Sequence, residues 1–82
     1  MLASHPEPVI MDADTIKHMI ETGLPGSEAT VIGPDGTHFE AVVVSAAFQG
    51  KTTLQQHRMV YATLGDSMQS AIHALSLRTS TP

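Results

Sequence analysis

The stretch that decides the fold runs from Gly33 to Ser45 and reads Gly-Pro-Asp-Gly-Thr-His-Phe-Glu-Ala-Val-Val-Val-Ser. Its first four residues have the composition of a tight turn, because proline and glycine supply the backbone angles that turns require. The residues that follow, 37–45, are rich in valine and predict a strand. A second candidate strand, 28–32, precedes the turn, so the two segments predict an antiparallel hairpin.

The strand over 37–45 alternates between the two faces of a sheet. Successive strand side chains point in opposite directions, so Phe39, Ala41 and Val43 share one face. His38 and Glu40 lie on the other face. We expect the first face to be buried, because the second carries a charge and an imidazole.

A short helix is predicted before the hairpin, over 12–22. Ile16 and Ile20 lie four residues apart, which puts them on one face of a helix. Asp12 is a suitable N-cap, and Gly23 followed by a Pro-Gly pair ends the helix.

A longer helix is predicted after the hairpin, over 53–69. Thr52 and Gln55 have the spacing of a capping box at its start. Gly65 would lie inside this helix and cost about 1 kcal/mol relative to alanine. The apolar residues that recur at helical spacing are Leu54, Tyr61, Leu64 and Met68, with Val60 beside them.

A connector and a third strand complete the chain. In the connector, residues 46–51, Phe48 is expected to pack back onto the core. Residues 72–79 alternate, with His73, Leu75 and Leu77 on one face, and therefore predict a strand. Because this strand follows a helical crossover, it can run parallel to a strand of the hairpin.

The element order is therefore α-β-β-α-β, which predicts an α+β fold. The simplest arrangement is a three-stranded mixed sheet with both helices on one face. Residues 12–82 form the single domain of this prediction, and residues 1–11 form a flexible lead-in. Eighty-two residues are enough for one small core and leave little room for a deep substrate cleft.

Composition limits the chemistry of the chain. It contains no cysteine, so neither a disulfide framework nor a thiolate metal site can be built from its own residues. The net charge is −4 with only four basic residues, which disfavours strong nucleic-acid binding. We find no nucleophile, dinucleotide-binding or zinc-protease pattern and expect a protein that is not an enzyme. Without a signal-like or membrane-spanning segment, the expected location is the cytoplasm.

Several motifs in one order resemble the BolA-like protein family, in particular its short bacterial members linked to acid stress. The matching pieces are Gly36-Thr-His-Phe39, Val44-Ser45, Phe48-Gln-Gly-Lys51, Gln56-His-Arg58, Val60-Tyr61 and Ile72-His-Ala-Leu75. The family fold is α-β-β-α-β and related to the type II KH domain. The resemblance therefore implies the same fold that the residue patterns predict.

The resemblance also implies a function. A chain that resembles BolA-like proteins is expected to be an adaptor for a monothiol glutaredoxin, with which it shares a [2Fe–2S] cluster. The expected role is iron–sulfur cluster trafficking and iron, redox or stress regulation. The glutaredoxin and its glutathione supply sulfur ligands in such complexes. The family's C-terminal histidine ligand corresponds to His73, and His38 is the natural candidate for the second ligand. Since the chain has no cysteine, its own ligands would all be nitrogen atoms.

Other residues leave alternatives open. Lys51, Arg58, Arg78 and His57 are candidates for contacts with a partner, with glutathione or with DNA phosphates. The resemblance implies DNA-binding transcriptional regulation as the alternative function. A third reading is a protein–protein module whose histidines respond to pH, because imidazoles titrate near pH 6.5. Without its partner, we expect the protein to be a monomer or a weak homodimer.

Overall fold

The computed structural model describes residues 12–33, 38–65 and 74–82. The described elements, in chain order, are α1 (Ala13–Gly23), β1 (Glu28–Ile32), β2 (His38–Val44), α2 (Thr53–Leu64) and β3 (Ala74–Ser80). A short 3-10 turn, Ala46–Phe48, lies between β2 and α2. This order confirms the predicted α-β-β-α-β arrangement.

The three strands form one mixed sheet with β2 in the centre. β1 pairs with β2 in the antiparallel sense, as a hairpin requires, and Val31 lies opposite Ala41. β3 pairs with the other edge of β2 in the parallel sense, so that Phe39 lies opposite Leu75. The parallel pairing follows from the crossover through α2, which returns the chain to the end of the sheet where β2 began.

Both helices pack on the same face of this sheet. The core cluster combines residues from α1, α2, β1, β2 and the 3-10 turn: Ile16, Ile20, Ala29, Phe39, Val43, Phe48, Val60 and Leu64. Phe39, Ala41 and Val43 are almost completely buried, which confirms the predicted inner face of β2. Phe48 is also fully buried and packs onto the core as expected. None of the described elements covers the opposite face of the sheet, where Ile32 and Val42 are exposed.

The start and end of α1 follow local sequence signals. The Asp12 side chain accepts a hydrogen bond from the Thr15 backbone N–H at 2.7 Å, as an N-cap does. This bond holds the pKa of Asp12 below its ordinary value. At the other end, a Cβ on Gly23 would lie 2.6 Å from Thr63 Cγ2 of α2. Glycine at this position therefore allows the two helices to approach closely.

α2 differs from the prediction in two ways: the helix is shorter, and different side chains are buried. The capping box of Thr52 and Gln55 is present, but the helix ends at Leu64 and not at residue 69. Gly65 is the C-cap with φ +54°, a conformation that suits glycine and stops the helix. Leu54 is 59% exposed and Tyr61 36% exposed, whereas Val60 and Leu64 are buried.

Some predicted features lie outside the described residues. These are the lead-in 1–11, most of the turn at 33–36, the helical extension 66–69, and residues 72 and 73 of the predicted third strand. His73 and Met68 are therefore known from the sequence alone.

Candidate functional site

His38 is the first residue of β2 and lies at one end of the central strand. Its side chain is exposed, on the face of the sheet that the helices leave open. Its register partner across the parallel pair is Ala74, the first residue of β3. Ala74 is joined by one peptide bond to His73, which lies outside the described residues. The sheet therefore brings His38 opposite the residue that directly follows His73.

The position of His38 depends on the residue next to it. Phe39 is 1% exposed and anchors the start of β2 in the core. Its ring lies against Gly33 so closely that a Cβ on Gly33 would overlap it. Because strand side chains alternate, burial of Phe39 turns His38 to the open face.

Among the residues that the structure describes, no three His, Asp or Glu side chains lie close enough to hold a metal ion. His38 is the imidazole that the described residues place at this end of the sheet. A neutral imidazole is a good iron ligand.

The second group of predicted contact residues lies on the connector and α2. Lys51 and Arg58 are exposed, and His57 is half-buried. The His57 ring meets Tyr61 edge-to-face, with the ring centres 6.4 Å apart and the planes at 82°. This geometry orients the imidazole along the outer side of α2.

Gln56 fixes the start of α2 against the rest of the fold. Its amide nitrogen donates to the backbone oxygens of Lys51 at 2.9 Å and Phe48 at 3.4 Å. Its amide oxygen accepts from Thr79 Oγ1 at 2.5 Å. Thr79 pairs with Val43, near the end of β2. The first turn of α2 therefore lies at the opposite end of the sheet from His38.

Arg78 does not join the other basic residues. It follows Leu77, which packs against the core, and its own side chain is exposed on the open face of β3. α2 covers the other face, so the sheet separates Arg78 from Lys51 and Arg58. The alternation of β3 is the physical reason that the predicted basic group does not form one patch.

The charge distribution makes the connector and α2 locally basic. Residues 41–65 contain Lys51 and Arg58 but no Asp or Glu, although the whole chain has eight acidic residues.

On the open face of the sheet, Glu40 and Arg78 border a shallow groove that includes the exposed Ile32 and Val42. The sequence patterns assigned a role neither to Gln56 nor to this groove. Gln56 lies four residues before the buried Val60, on the same side of α2, and this spacing is the sequence signal that points to it.

Neither of the two α-helices in the described part of the chain is long and apolar enough to cross a lipid bilayer.

Comparison with known proteins gives a consistent result. The sequence model of the family described as BolA-like protein matches residues 6–82. The solved structure of a BolA protein homologue from Coxiella burnetii is 53% identical, covers 88% of this chain and 92% of its own, and superposes with a TM-score of 0.79. Its likeness supports the two-helix, three-strand fold at the level of the whole domain.

Two curated relatives carry names that bear on function. BolA-like protein 1 of Bos taurus is 41% identical over 58 residues, which is 71% of this chain and 37% of that protein. The DNA-binding transcriptional regulator BolA of Escherichia coli is 44% identical over 45 residues, or 55% of this chain and 43% of that protein. The matched segments thus span less than half the length of these relatives. The family match over residues 6–82, the shared fold and these relatives together establish that the chain belongs to the BolA-like protein family.

Proposed function

We propose that the protein is an adaptor that binds a monothiol glutaredoxin and co-ligates a [2Fe–2S] cluster through His73 and His38. The observation that carries the proposal is the parallel pairing of β2 with β3, which sets His38 opposite Ala74, the neighbour of His73 in the sequence. Membership of the BolA-like family supports a monothiol glutaredoxin as the partner class. The glutaredoxin and its glutathione would contribute thiolate ligands, since this chain has no cysteine.

Strand geometry restricts where such a cluster can be held. His38 is the first residue of β2, and its register partner Ala74 is the first residue of β3, so both lie at one end of the sheet. Because His73 directly precedes Ala74 in the sequence, we propose that the cluster is held at this end of the sheet.

The mixed ligand set has a chemical consequence. Replacing thiolates by imidazoles at one iron of a [2Fe–2S] cluster raises its reduction potential. An imidazole also exchanges its proton near neutral pH, so its hold on iron weakens as the pH falls. An all-nitrogen contribution from this chain would make the shared cluster easier to reduce and easier to release than an all-sulfur one.

The test is reconstitution of the complex with a monothiol glutaredoxin, glutathione, ferrous iron and sulfide under anaerobic conditions. Visible circular dichroism reports the cluster environment, and pulsed EPR of the reduced cluster reports nitrogen coupling from coordinated imidazole. We expect the wild-type mixture to show coupling from two imidazoles and His73→Ala to lose the coupling of one of them. His38→Ala should shorten the lifetime of the cluster and reduce the coupling.

His18→Ala is the matched control, because His18 is an exposed histidine of α1 that is not a candidate ligand. It should leave spectrum and lifetime unchanged. Wild-type spectra identical to those of glutaredoxin alone would refute the adaptor function. Unchanged nitrogen coupling in His73→Ala would refute the ligand assignment while leaving the partnership intact.

DNA binding is the second candidate function, and the name of the Escherichia coli relative favours it. The locally basic segment 41–65 would supply Lys51 and Arg58 as phosphate contacts. Such binding should weaken steeply with salt, because each neutralised phosphate releases counterions. Fluorescence anisotropy with a labelled duplex at low and high salt tests this. Binding that is absent at low salt, or unaffected by Arg58→Glu, would refute it.

A further inference from the structure

We propose that the open face of the sheet is a self-association surface that binds a second copy of this chain. The surface is the groove on that face and the residues that border it: Thr30, Ile32, Glu40, Val42, Ser76 and Arg78. The proposal is independent of the cluster and of the glutaredoxin, since it uses neither α2 nor the candidate ligand His38.

Two large apolar side chains are exposed on this surface. Ile32 is 52% exposed and Val42 44% exposed, and both project from the face that no described element covers. They flank a groove of about 280 Å³ between the strands. A branched aliphatic side chain from another molecule would remove this apolar area from water.

Two opposite charges lie beside these apolar side chains. Glu40 of β2 lies opposite Ser76, and Arg78 of β3 lies opposite Val42, so the two charges occupy diagonal positions. Both are exposed, and the one salt bridge within the described residues joins Lys17 to Glu21 and involves neither. Positions on such a diagonal are offset by one strand, about 4.8 Å, and by two residues along the strand, about 6.6 Å, so their Cα atoms lie about 8 Å apart.

This arrangement is complementary to itself, which identifies the occupant. A two-fold axis that lies in the interface and crosses the diagonal at its midpoint exchanges the two charged positions. Glu40 of each copy then faces Arg78 of the other, and the two Val42 side chains meet near the axis, with Ile32 of each copy to one side. Isologous contact of this kind is the commonest way in which identical chains associate. Neither a purely acidic nor a purely basic partner would match both charges.

The dimer should be transient. A stable interface buries about 800 Å² on each partner, and one face of three short strands is smaller than that. Self-association is therefore expected at high protein concentration, and it should weaken with added salt, because the contact depends on two pairs of opposite charges.

Sedimentation velocity and concentration-dependent NMR shifts of the metal-free chain provide the test. Glu40→Lys and Arg78→Glu should each weaken association about tenfold, because each creates two like-charge contacts per dimer. The double variant Glu40→Lys/Arg78→Glu should restore association, since it reverses both partners of each pair. Asp14→Lys, the same charge change at an exposed position on α1, should have no effect.

Concentration-dependent shifts should centre on Ile32 and Val42. A chain that stays monomeric at millimolar concentration would overturn the proposal. Single charge reversals without effect, or a double variant that does not regain association, would also overturn it. All three substitutions are at exposed positions, and circular dichroism of each of the four variants checks that the fold is retained.

Discussion

Replacement of Gln56 by alanine should destabilise the fold by separating three elements that its amide joins. The side chain contributes two donated bonds, to the backbone oxygens of Lys51 and Phe48, and one accepted bond, from Thr79 Oγ1. A hydrogen bond of this type is worth about 1 kcal/mol net, and the 3.4 Å bond to Phe48 is at the weak end of the range. We therefore expect Gln56→Ala to lower the free energy of unfolding by about 2 kcal/mol.

The free-energy contribution of the hydrogen bond from Thr79 of β3 to Gln56 of α2 can be measured separately. Thr79→Val removes the hydroxyl donor and keeps the side-chain shape, so it should cost about 1 kcal/mol. The double variant with Gln56→Ala should cost less than the sum of the two single variants by about 1 kcal/mol, because both remove the same bond. Gln49→Ala is the matched control, since the exposed Gln49 side chain makes no hydrogen bond within the described residues.

Urea unfolding followed by far-UV circular dichroism measures the free energy of unfolding of the wild type and of the four variants. For a domain of this size, a loss of 2 kcal/mol corresponds to a fall in Tm of about 8–16 °C. The reasoning is refuted if Gln56→Ala is as stable as Gln49→Ala, or if the effects at Gln56 and Thr79 add without coupling. The first result would mean that water replaces the amide at no cost.

Three further predictions follow from single residues. Phe48→Ala should lower the free energy of unfolding by about 3–5 kcal/mol in the same urea assay, because Phe48 is fully buried and its loss leaves a cavity. Gly65→Ala should cost about 1–3 kcal/mol in thermal unfolding, because φ +54° is strained for alanine, and an unchanged Tm would contradict this. The Ala29 backbone N–H and, secondly, Lys17 hold the pKa of the Glu21 carboxyl below its ordinary 4.5. The ionised carboxylate therefore adds to the free energy of unfolding above that pH, and this stabilisation is lost as the pH falls through the folded pKa. Glu21→Gln should therefore flatten the acid side of a stability–pH profile measured by urea unfolding.

Local sequence signals predicted the elements whose ends are decided by neighbouring residues. The Asp12 N-cap and the capping box of Thr52 and Gln55 need only residues three positions apart, and both are present. The same holds for the alternation of β2, where one strand of seven residues is enough to separate a buried from an exposed face. These features depend on backbone geometry over a few residues, which the sequence specifies directly.

The buried side of α2 could not be predicted from spacing. Leu54 and Tyr61 lie at helical spacing from Leu64, yet they are exposed, because tertiary contacts of Phe48 and Gln56 set the rotation of the helix on the sheet. The helix end was missed for a similar reason. Gly65 is tolerable inside a helix by propensity, and its positive φ is known only from the folded backbone.

The sequence by itself determined the fold class, the family and the absence of cysteine thiolate ligands. These follow from periodicity, motif order and composition, which do not depend on how distant residues meet. Only the tertiary structure decided that β3 pairs with β2 in the register that sets Ala74 opposite His38, and that Arg78 lies on the other face of the sheet from α2. Residues 38 and 74 are far apart in the chain, so their proximity results from the crossover and from burial of the shared core, and neither is encoded in the residues around them alone.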